Sequence, residues 1–234
     1  MSASRRQAAE WLRLYRDLGV EAVALHGPAV AESGGGGGSG GAAEALERLR
    51  EETLGDCRRC ALWKGRTRLV FGTGNPEARL VFVGEGPGAD EDRQGEPFVG
   101  KAGRLLDKII GAMGLSREEV YIANVVKCRP PENRAPLPDE SATCLPFLHE
   151  QIRIIQPEVI VTLGRTALEG LLGEPVRSIT RARGRWFRVK GVPVMATFHP
   201  AYLLRNPAAK RPVWEDMQEV LARLGLSPPP RQGR

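Results

Sequence analysis

The sequence predicts an α/β fold: a single domain of three layers (α/β/α) around a central, mostly parallel sheet of four strands. Three observations predict it. Apolar segments typical of buried strands alternate with helical patterns after residue 41. Hydrophobic residues make up 41% of the 234 residues and charged residues 26%, which is the balance of a globular protein. No apolar run approaches the roughly 18 residues of a membrane helix, which excludes membrane-spanning classes.

A run rich in glycine and serine divides the chain. Residues 33–41 cannot hold regular structure by themselves and are predicted to form a flexible linker. Residues 1–32 carry apolar side chains at helical spacing, among charges that a secretory signal would lack. They predict an amphipathic helix in a cytoplasmic protein. Residues 42–226 are predicted to form the domain, and residues 227–234 a disordered tail.

Within the domain, the order of the predicted elements determines the layers. The predicted helices are 42–54, 101–113, 138–155, 165–172 and 212–224. The predicted strands are 79–83, 120–126, 159–163, 185–189 and 192–197. We interpret the last two strands as a hairpin, with a central place in the sheet for 192–197 as the alternative. Sheets of this kind bind ligands beyond the carboxyl ends of their strands, so we expect a site there.

Positive charge is concentrated near the C-terminus. The whole chain has a net charge of +6, but residues 175–234 sum to +9 and residues 1–174 to −3. A one-sided basic region is typical of a surface that binds a polyanion such as a nucleic acid. The alternative is an organism whose proteins are generally rich in arginine, and charge alone does not decide between the two.

All four cysteines fall into a pattern that suits a metal. Cys57 and Cys60 are two residues apart, Cys128 follows a predicted strand, and Cys144 lies inside or at the start of a predicted helix. Four thiolates bind zinc tetrahedrally or hold an iron–sulfur cluster, and their spacing does not choose the metal. Structural disulfides are rare in the cytoplasm, so we do not expect the cysteines to be paired with one another. The alternative to a metal site is therefore four unrelated buried cysteines.

A glycine-rich turn follows the first predicted strand. After Gly84 it comprises Glu85, Gly86, Pro87 and Gly88, and acidic residues come next. The proline and these acids disfavour a pyrophosphate, which argues against a dinucleotide site. The turn offers backbone N–H groups and a carboxylate at the carboxyl end of a strand. The alternative is a tight turn in which glycine is needed only for its backbone freedom.

Three further side chains are candidates for the same edge of the sheet. Asn124 interrupts an apolar strand, where an amide is costly unless it is paired, and an amide can read the edge of a nucleobase. His199 follows the last predicted strand, and Phe98 lies in a loop rich in glycine and proline. Each has a structural alternative: an Asn paired with backbone, a packed His and a core Phe. The loop Arg181–Arg185 supplies three arginines suited to phosphates.

Together, these residues resemble the family 4 uracil-DNA glycosylases, the thermostable iron–sulfur type, from about Leu54 to Leu224. The run Gly84–Gly88 resembles the first active-site motif of that family, and His199–Leu203 resembles the second. The four cysteines have the family's spacing for a 4Fe–4S cluster, which implies iron rather than zinc. The resemblance thus implies a monomeric, nucleoid-associated DNA-repair enzyme of bacterial type. It would hydrolyse uracil from single- or double-stranded DNA without endonuclease activity.

The resemblance also implies roles around the uracil base. The base must leave the helical stack, because the glycosidic bond cannot be reached inside a duplex. Phe98 would stack on the base, Asn124 would read its Watson–Crick edge, and His199 would stabilise the anion growing on O2. The catalytic set is His199, Glu85 and Asn124. The uracil-binding set comprises these three with Gly86, Pro87, Gly88, Glu91 and Phe98.

On the DNA side, the resemblance implies a wedge and a set of basic contacts. Leu203, four residues after His199, would fill the space that the flipped base leaves. The DNA backbone would contact Arg181, Arg183, Arg185 and Arg205. Residues 1–41 would be available for contact with a replication or repair protein.

Two positions depart from the best-known uracil-DNA glycosylases. Gly86 occupies the position of their water-activating Asp, and Gly88 that of the Tyr that excludes thymine. Glu91, with Asn133 nearby in the loop, is our candidate for shaping the pocket instead. The loop Arg181–Arg185 lacks the His with which related enzymes trap DNA covalently, so turnover is expected.

Two functions of other classes remain as alternatives. One is a non-catalytic DNA-binding module stabilised by its metal, and the other is a module that recruits a partner through the N-terminal helix. Glu85, Asn124 and His199 together favour the enzyme, because binding alone requires none of them.

Overall fold

In a computed structural model, residues 40–229 are described, and a six-stranded sheet runs through their centre. The strands are β1 (Thr73–Gly74), β2 (Leu80–Gly84), β3 (Tyr121–Asn124), β4 (Val159–Leu163), β5 (Trp186–Val189) and β6 (Val192–Thr197). Their order across the sheet is β1-β3-β2-β4-β6-β5. The inner four strands pair in parallel, while β1 and β5 run antiparallel to their neighbours.

Helices connect and cover these strands. The α-helices are α1 (Gly40–Arg48), α2 (Ala89–Gln94), α3 (Lys101–Ala112), α4 (Pro138–Ile155), α5 (Arg165–Leu172), α6 (Ile179–Ala182), α7 (Pro200–Arg205) and α8 (Lys210–Arg223). A π-helix, Leu49–Leu54, continues α1, and short 3₁₀ turns occur at Ala61–Gly65, Pro131–Asn133 and Pro207–Ala209. No helix in residues 40–229 combines the length and apolarity needed to cross a membrane.

Alternation of side chains along the strands builds two hydrophobic cores, one on each face of the sheet. In β2, Val81 and Val83 belong to one core, and Leu80 and Phe82 belong to the other. Helices α1, α4 and α5 bury residues in the first core, and α3, α7 and α8 bury residues in the second. The predicted three-layer α/β/α arrangement is therefore confirmed.

The sheet is wider than the four strands predicted from the sequence. The four parallel strands are present, and both interpretations of the last two segments hold at once. Strand β6 pairs antiparallel with β5 and parallel with β4, so it is at once a hairpin strand and an inner strand. The added strand β1 contains only two residues, too few for an alternating pattern to reveal.

Some element boundaries differ from the predicted ones. Helix α1 begins at Gly40, inside the predicted linker 33–41, whereas residues 1–39 lie outside the described part of the chain. The acidic segment after β2 is a helix, α2, that is polar throughout and so lacks the apolar period of a helix. In the predicted tail, residues 227–229 have no regular structure, and residues 230–234 are outside the described range.

One predicted DNA contact, Arg183, is part of the fold. Its guanidinium pairs with both carboxylate oxygens of Asp216 on α8 and donates to the Pro212 carbonyl. Asp216 is buried and also accepts a hydrogen bond of 2.6 Å from Thr197 Oγ1 at the end of β6. The Nε and Nη2 donors of Arg183 are thus occupied inside the protein, which gives this arginine a structural role, and its contact with DNA stays a prediction. The ion pair fixes the end of β6, two residues before His199.

Replacing this arginine should destabilise the fold. We expect Arg183→Met to lower the free energy of unfolding by about 3 kcal/mol, because Asp216 would be left as an unpaired buried charge. The exposed neighbour Arg185 is the matched control, and Arg185→Met should change the same quantity by less than about 0.5 kcal/mol. Urea denaturation at pH 7 measures both. Equal stability of the two variants would contradict a structural role for Arg183.

Candidate active site

A cavity of about 490 Å³ opens beyond the carboxyl ends of β2, β3 and β6, where the sheet geometry predicts a ligand. All eight predicted base-binding residues line it: Glu85, Gly86, Pro87, Gly88, Glu91, Phe98, Asn124 and His199. Arg205 from the predicted DNA-binding set lines it as well. The fold thus brings segments that are more than 100 residues apart in sequence to one place.

The wall of the cavity depends on the absence of a side chain at Gly84. A Cβ built there would lie 2.6 Å from the ring of Phe98, so only glycine lets that ring rest against the end of β2. Phe98 is buried and adopts a left-handed backbone with φ +55°. Its ring centroid lies 5.6 Å from that of His199, with the planes inclined by 32°. The cavity therefore has an aromatic wall beside an imidazole.

Glu91 holds the Phe98 loop in place. One carboxylate oxygen accepts hydrogen bonds from the backbone N–H groups of Val99 and Gly100, each at 2.9 Å. The other accepts from the N–H of Gly88 at 3.1 Å and so caps α2. The carboxylate thereby joins the glycine-rich turn to the aromatic wall, which gives Glu91 a shape-determining position.

Asn124 lines the cavity and carries an unsatisfied acceptor. The side chain ends β3 and is 2% exposed, and its Oδ1 atom has no hydrogen-bond partner within residues 40–229. A buried carbonyl oxygen without a donor is costly and rare in proteins. Because Asn124 lines the cavity, a ligand N–H that reaches this amide would satisfy the oxygen.

His199 is held as a neutral ring. Its Nδ1 accepts a hydrogen bond of 3.1 Å from the Ala201 N–H and caps the N-terminus of α7, so the neutral ring carries its proton on Nε2. Burial, with a smaller effect of the Arg205 cation, lowers the pKa of His199 to about 4. At neutral pH the ring can therefore donate one hydrogen bond without carrying charge.

Two carboxylates line the cavity, and they are not equivalent. The carboxylate of Glu91 is committed to backbone N–H groups, which leaves Glu85 as the carboxylate able to contact a bound water. Gly86 leaves no room for an acid: a Cβ there would lie 2.7 Å from Cγ2 of Val126. A carboxylate at position 86 would therefore require Val126 to move. Glu85 can supply a carboxylate beside the turn without such a change.

The sequence reasoning missed Arg134, which also lines the cavity. Both oxygens of Glu140 accept hydrogen bonds from this guanidinium, at 2.7 and 2.8 Å. Glu140 also accepts from the Leu137 N–H and so begins α4. Asn133 precedes Arg134 and lines the cavity too, and its Oδ1 accepts from Arg129. The sequence signal that could have indicated Arg134 is the Asn-Arg pair in the proline-rich loop after Cys128.

The prediction for the wedge selects the wrong leucine. Leu203 is 1% exposed and packs in the core beneath α7, so it does not reach the surface. The next residue, Leu204, is 47% exposed. Sequence distance from His199 did not reveal this, because α7 turns successive side chains by about 100°. Arg181 and Arg185, unlike Arg183, are exposed.

The four cysteines lie near one another, and none forms a disulfide. Burial raises the pKa values of Cys60 and Cys128 and raises that of Cys144 to about 12, and neighbouring cysteine thiolates add to each shift. Arg66 donates to Cys128 Sγ at 3.3 Å. Within residues 40–229, no three His, Cys, Asp or Glu side chains approach closely enough to hold a single ion. The four thiols are nevertheless close enough to influence one another's pKa values.

Comparison with known proteins finds one matching family and several similar chains. The family described as the uracil DNA glycosylase superfamily matches residues 71–218. A type-4 uracil-DNA glycosylase of Thermotoga maritima is 49% identical, over 76% of this chain and 94% of its own. Two further type-4 uracil-DNA glycosylases are similar: that of Sulfurisphaera tokodaii at 45% identity over 84% of its length, and that of Archaeoglobus fulgidus at 44% over 92%. Each alignment covers 76% of this chain.

The low pKa of His199 can be tested directly. In ¹⁵N NMR spectra, we expect its imidazole to stay neutral, with the proton on Nε2, until the pH falls to about 4. The unfolded chain takes up this proton near pH 6.5, so folding stability should fall as the pH drops from 6.5 towards 4. His199→Asn, which keeps a capping acceptor, should weaken that dependence, and the remainder belongs to His149, because burial lowers the pKa of that residue to about 4 as well. Titration of His199 near pH 6.5 would contradict the buried neutral ring.

Proposed function

The chain belongs to the type-4 uracil-DNA glycosylases of the uracil-DNA glycosylase superfamily, and from this premise we propose how it removes uracil from DNA. It hydrolyses the N-glycosidic bond of deoxyuridine and leaves an abasic site. The observation that carries the proposal is that one cavity is lined by Asn124, whose Oδ1 has no partner within residues 40–229, and by the neutral ring of His199. A surface that only bound DNA would need neither.

Uracil complements the polar groups of the cavity. Flipped out of the stack, the base presents N3–H, which the Oδ1 of Asn124 accepts, and O4, which the amide nitrogen can reach. The ring of Phe98 stacks on the face of the base. Cytosine lacks the N3 proton and would leave the amide oxygen unpaired, so this one acceptor favours uracil over the normal base.

Bond cleavage sends the glycosidic electron pair onto the base. As C1′–N1 breaks, negative charge develops on the O2 of uracil while the sugar becomes an oxocarbenium ion. His199 donates its Nε2–H to that oxygen, and backbone N–H groups of the Gly86–Gly88 turn add to the stabilisation. A neutral imidazole suits this role, because the hydrogen bond strengthens as charge grows in the transition state.

Water completes the hydrolysis. It adds to C1′ of the sugar cation, and its proton passes to the carboxylate of Glu85 and then to solvent or to the departing uracil anion. Gly86 gives no base at this position, and Glu91 is committed to backbone N–H groups. The cation itself is highly reactive towards water, so positioning the water matters more than activating it.

The DNA lies along the basic rim of the cavity. Arg181 and Arg185 are exposed and hold the phosphates, while Arg205 and Arg134 reach the mouth of the cavity itself. Leu204 replaces Leu203 as the residue that enters the space vacated by the base, since it is the exposed leucine of α7. The protein acts as a monomer, and residues 1–41 contact a replication or repair partner.

Cys57, Cys60, Cys128 and Cys144 hold a 4Fe–4S cluster in this proposal. A single zinc ion, the alternative metal, would need all four sulfurs about 2.3 Å from one centre. N–H donors point at two of the sulfurs, from Arg66 to Cys128 and from the backbone of Lys127 to Cys144. When bound, the cluster cross-links the segment before β1 to α4.

Uracil release tests the function. Incubated with uracil-containing oligonucleotides, the protein should produce abasic sites that hot alkali cleaves, and thymine oligonucleotides should stay intact. His199→Ala should slow single-turnover release by about 100- to 1000-fold, as expected for a lost transition-state donor. Its affinity for non-specific DNA should be unchanged. The absence of alkali-labile sites with the unmodified protein would refute the glycosylase.

Leu204→Ala tests the wedge. Shortening the side chain removes about 1–2 kcal/mol of apolar contact with the opened stack, so we expect roughly tenfold slower release from duplex DNA. Release from single strands should hardly change, because no stack has to be opened. Leu203→Ala is the control and should lower thermal stability without changing the ratio of the two rates. An unaltered duplex rate for Leu204→Ala would refute the wedge.

Metal analysis tests the cluster. The purified protein should be brown, with about four iron and four sulfide per chain. Replacing any one cysteine, for instance Cys144→Ser, should bleach the visible absorption and reduce iron content. A colourless protein that contains one zinc per chain would favour the alternative metal.

A further inference from the structure

A lysine buried between the cysteines and the cavity has no evident role in the reaction. Lys127 directly precedes Cys128 and is 0% exposed. Its ammonium donates hydrogen bonds to the main-chain carbonyl of Asn124, at 2.9 Å, and to Oε1 of Gln151, at 2.6 Å. The ring of Phe71 lies 6.0 Å from the nitrogen. A fully buried lysine is among the rarest arrangements in proteins.

The charge of this ammonium lacks a carboxylate partner. No ion pair includes Lys127 among residues 40–229, and both of its acceptors are neutral oxygens. By contrast, Arg66, a cation that donates to Cys128, pairs with Asp56. A buried charge is expensive unless an opposite charge compensates it. The anionic candidate nearest in the network is Cys144, whose sulfur accepts from the backbone N–H of Lys127 at 3.3 Å.

Gln151 shows that the lysine site is built rather than accidental. Its amide nitrogen donates to the Phe71 carbonyl at 3.0 Å and to the Tyr121 hydroxyl at 3.1 Å. These two bonds fix the direction of the amide, so its oxygen must face Lys127. Gln151 is buried on α4, the helix that carries Cys144. The network therefore joins the cysteine-bearing helix to the end of β3.

At the end of β3, the network reaches the base-reading side chain. The carbonyl that Lys127 holds belongs to Asn124, whose side chain lines the cavity. By holding this carbonyl, Lys127 restricts the ψ angle of Asn124. The direction in which the Asn124 side chain leaves the backbone is thereby restricted as well. Lys127 thus contacts both the cysteine side and the uracil side of the protein.

We propose that Lys127 is a positioning residue that couples the metal centre to uracil recognition. The cysteinates of the loaded protein supply the negative charge that its ammonium needs, and the ammonium in turn holds the Asn124 peptide so that the amide meets uracil. This rests on the proposed function. Were the lysine only a space-filling side chain, methionine, which is similar in length and apolar, would serve equally well.

The test compares Lys127→Met with Lys64→Met in cluster-loaded protein. Lys64 is an exposed lysine four residues after Cys60, so it controls for loss of a charge near the cysteines. One readout is the midpoint potential of the cluster, measured by voltammetry. The other is the affinity for an oligonucleotide containing 2′-deoxy-2′-fluorouridine, whose fluorine blocks cleavage, relative to the same oligonucleotide with thymidine.

Two changes are expected together in Lys127→Met. The midpoint potential should fall, because removing a nearby cation disfavours the more negative, reduced cluster. The preference for the uracil oligonucleotide should drop about tenfold, the scale of one hydrogen bond to a charged group, with thymidine affinity unchanged. Lys64→Met should behave like the unaltered protein in both. An unchanged potential would overturn the charge coupling, and an unchanged preference would overturn the positioning of Asn124.

A second variant covers the case in which Lys127→Met does not fold. Gln151→Glu keeps the volume and places a carboxylate against the ammonium, so it should lower the potential of the cluster through its added negative charge. A potential equal to that of the unaltered protein would again count against the coupling. Failure of the proposed function is distinguishable, because then the unaltered protein itself would neither release uracil nor prefer the fluorinated uracil oligonucleotide.

Discussion

The contact between the Phe98 ring and the bare backbone of Gly84 is the constraint on which the cavity depends. With any side chain at the end of β2, the ring would be displaced, and with it the loop that Glu91 holds by two backbone hydrogen bonds. The ring in turn stands beside His199. The aromatic wall and the imidazole of the cavity thus rely on one residue that has no side chain.

The site combines neutral polar groups and two carboxylates with arginines that line the same cavity. Asn124 offers an unpaired amide oxygen, and His199 offers a donor that stays uncharged because burial lowers its pKa to about 4. The cations Arg134 and Arg205 lie at the mouth of the cavity. Such a division suits a reaction in which a neutral base becomes an anion only as its bond breaks, while phosphates outside need positive charge throughout.

Beneath the cavity, ionic and polar networks hold the strand ends in place. Arg183 and Asp216 secure Thr197 near His199, and Lys127 secures the carbonyl of Asn124. Neither cation touches the cavity. Each cation instead holds the backbone near a side chain that lines the cavity, His199 for Arg183 and Asn124 for Lys127. Residues outside a site can therefore determine its geometry.

The sequence by itself determined the layered α/β architecture, the position of the site and most of its members. Alternating patterns report burial on a sheet, and the turn Gly84–Gly88, Asn124 and His199 all follow or end strands, whose carboxyl ends must meet at one edge. It also determined the grouping of the four cysteines. It could not predict β1, which is too short for a pattern, or α2, which has no apolar face.

Only the tertiary structure decided the direction and the partner of individual side chains. Leu203 and Leu204 are identical in composition and adjacent, and the helical rotation alone buries one and exposes the other. Arg183 looks like its neighbours in the arginine loop until Asp216, 33 residues later, is seen to neutralise it. Arg134 and Lys127 likewise acquire their positions from Glu140 and Gln151 on α4. Such pairings depend on distances between remote segments, which no local pattern of residues records.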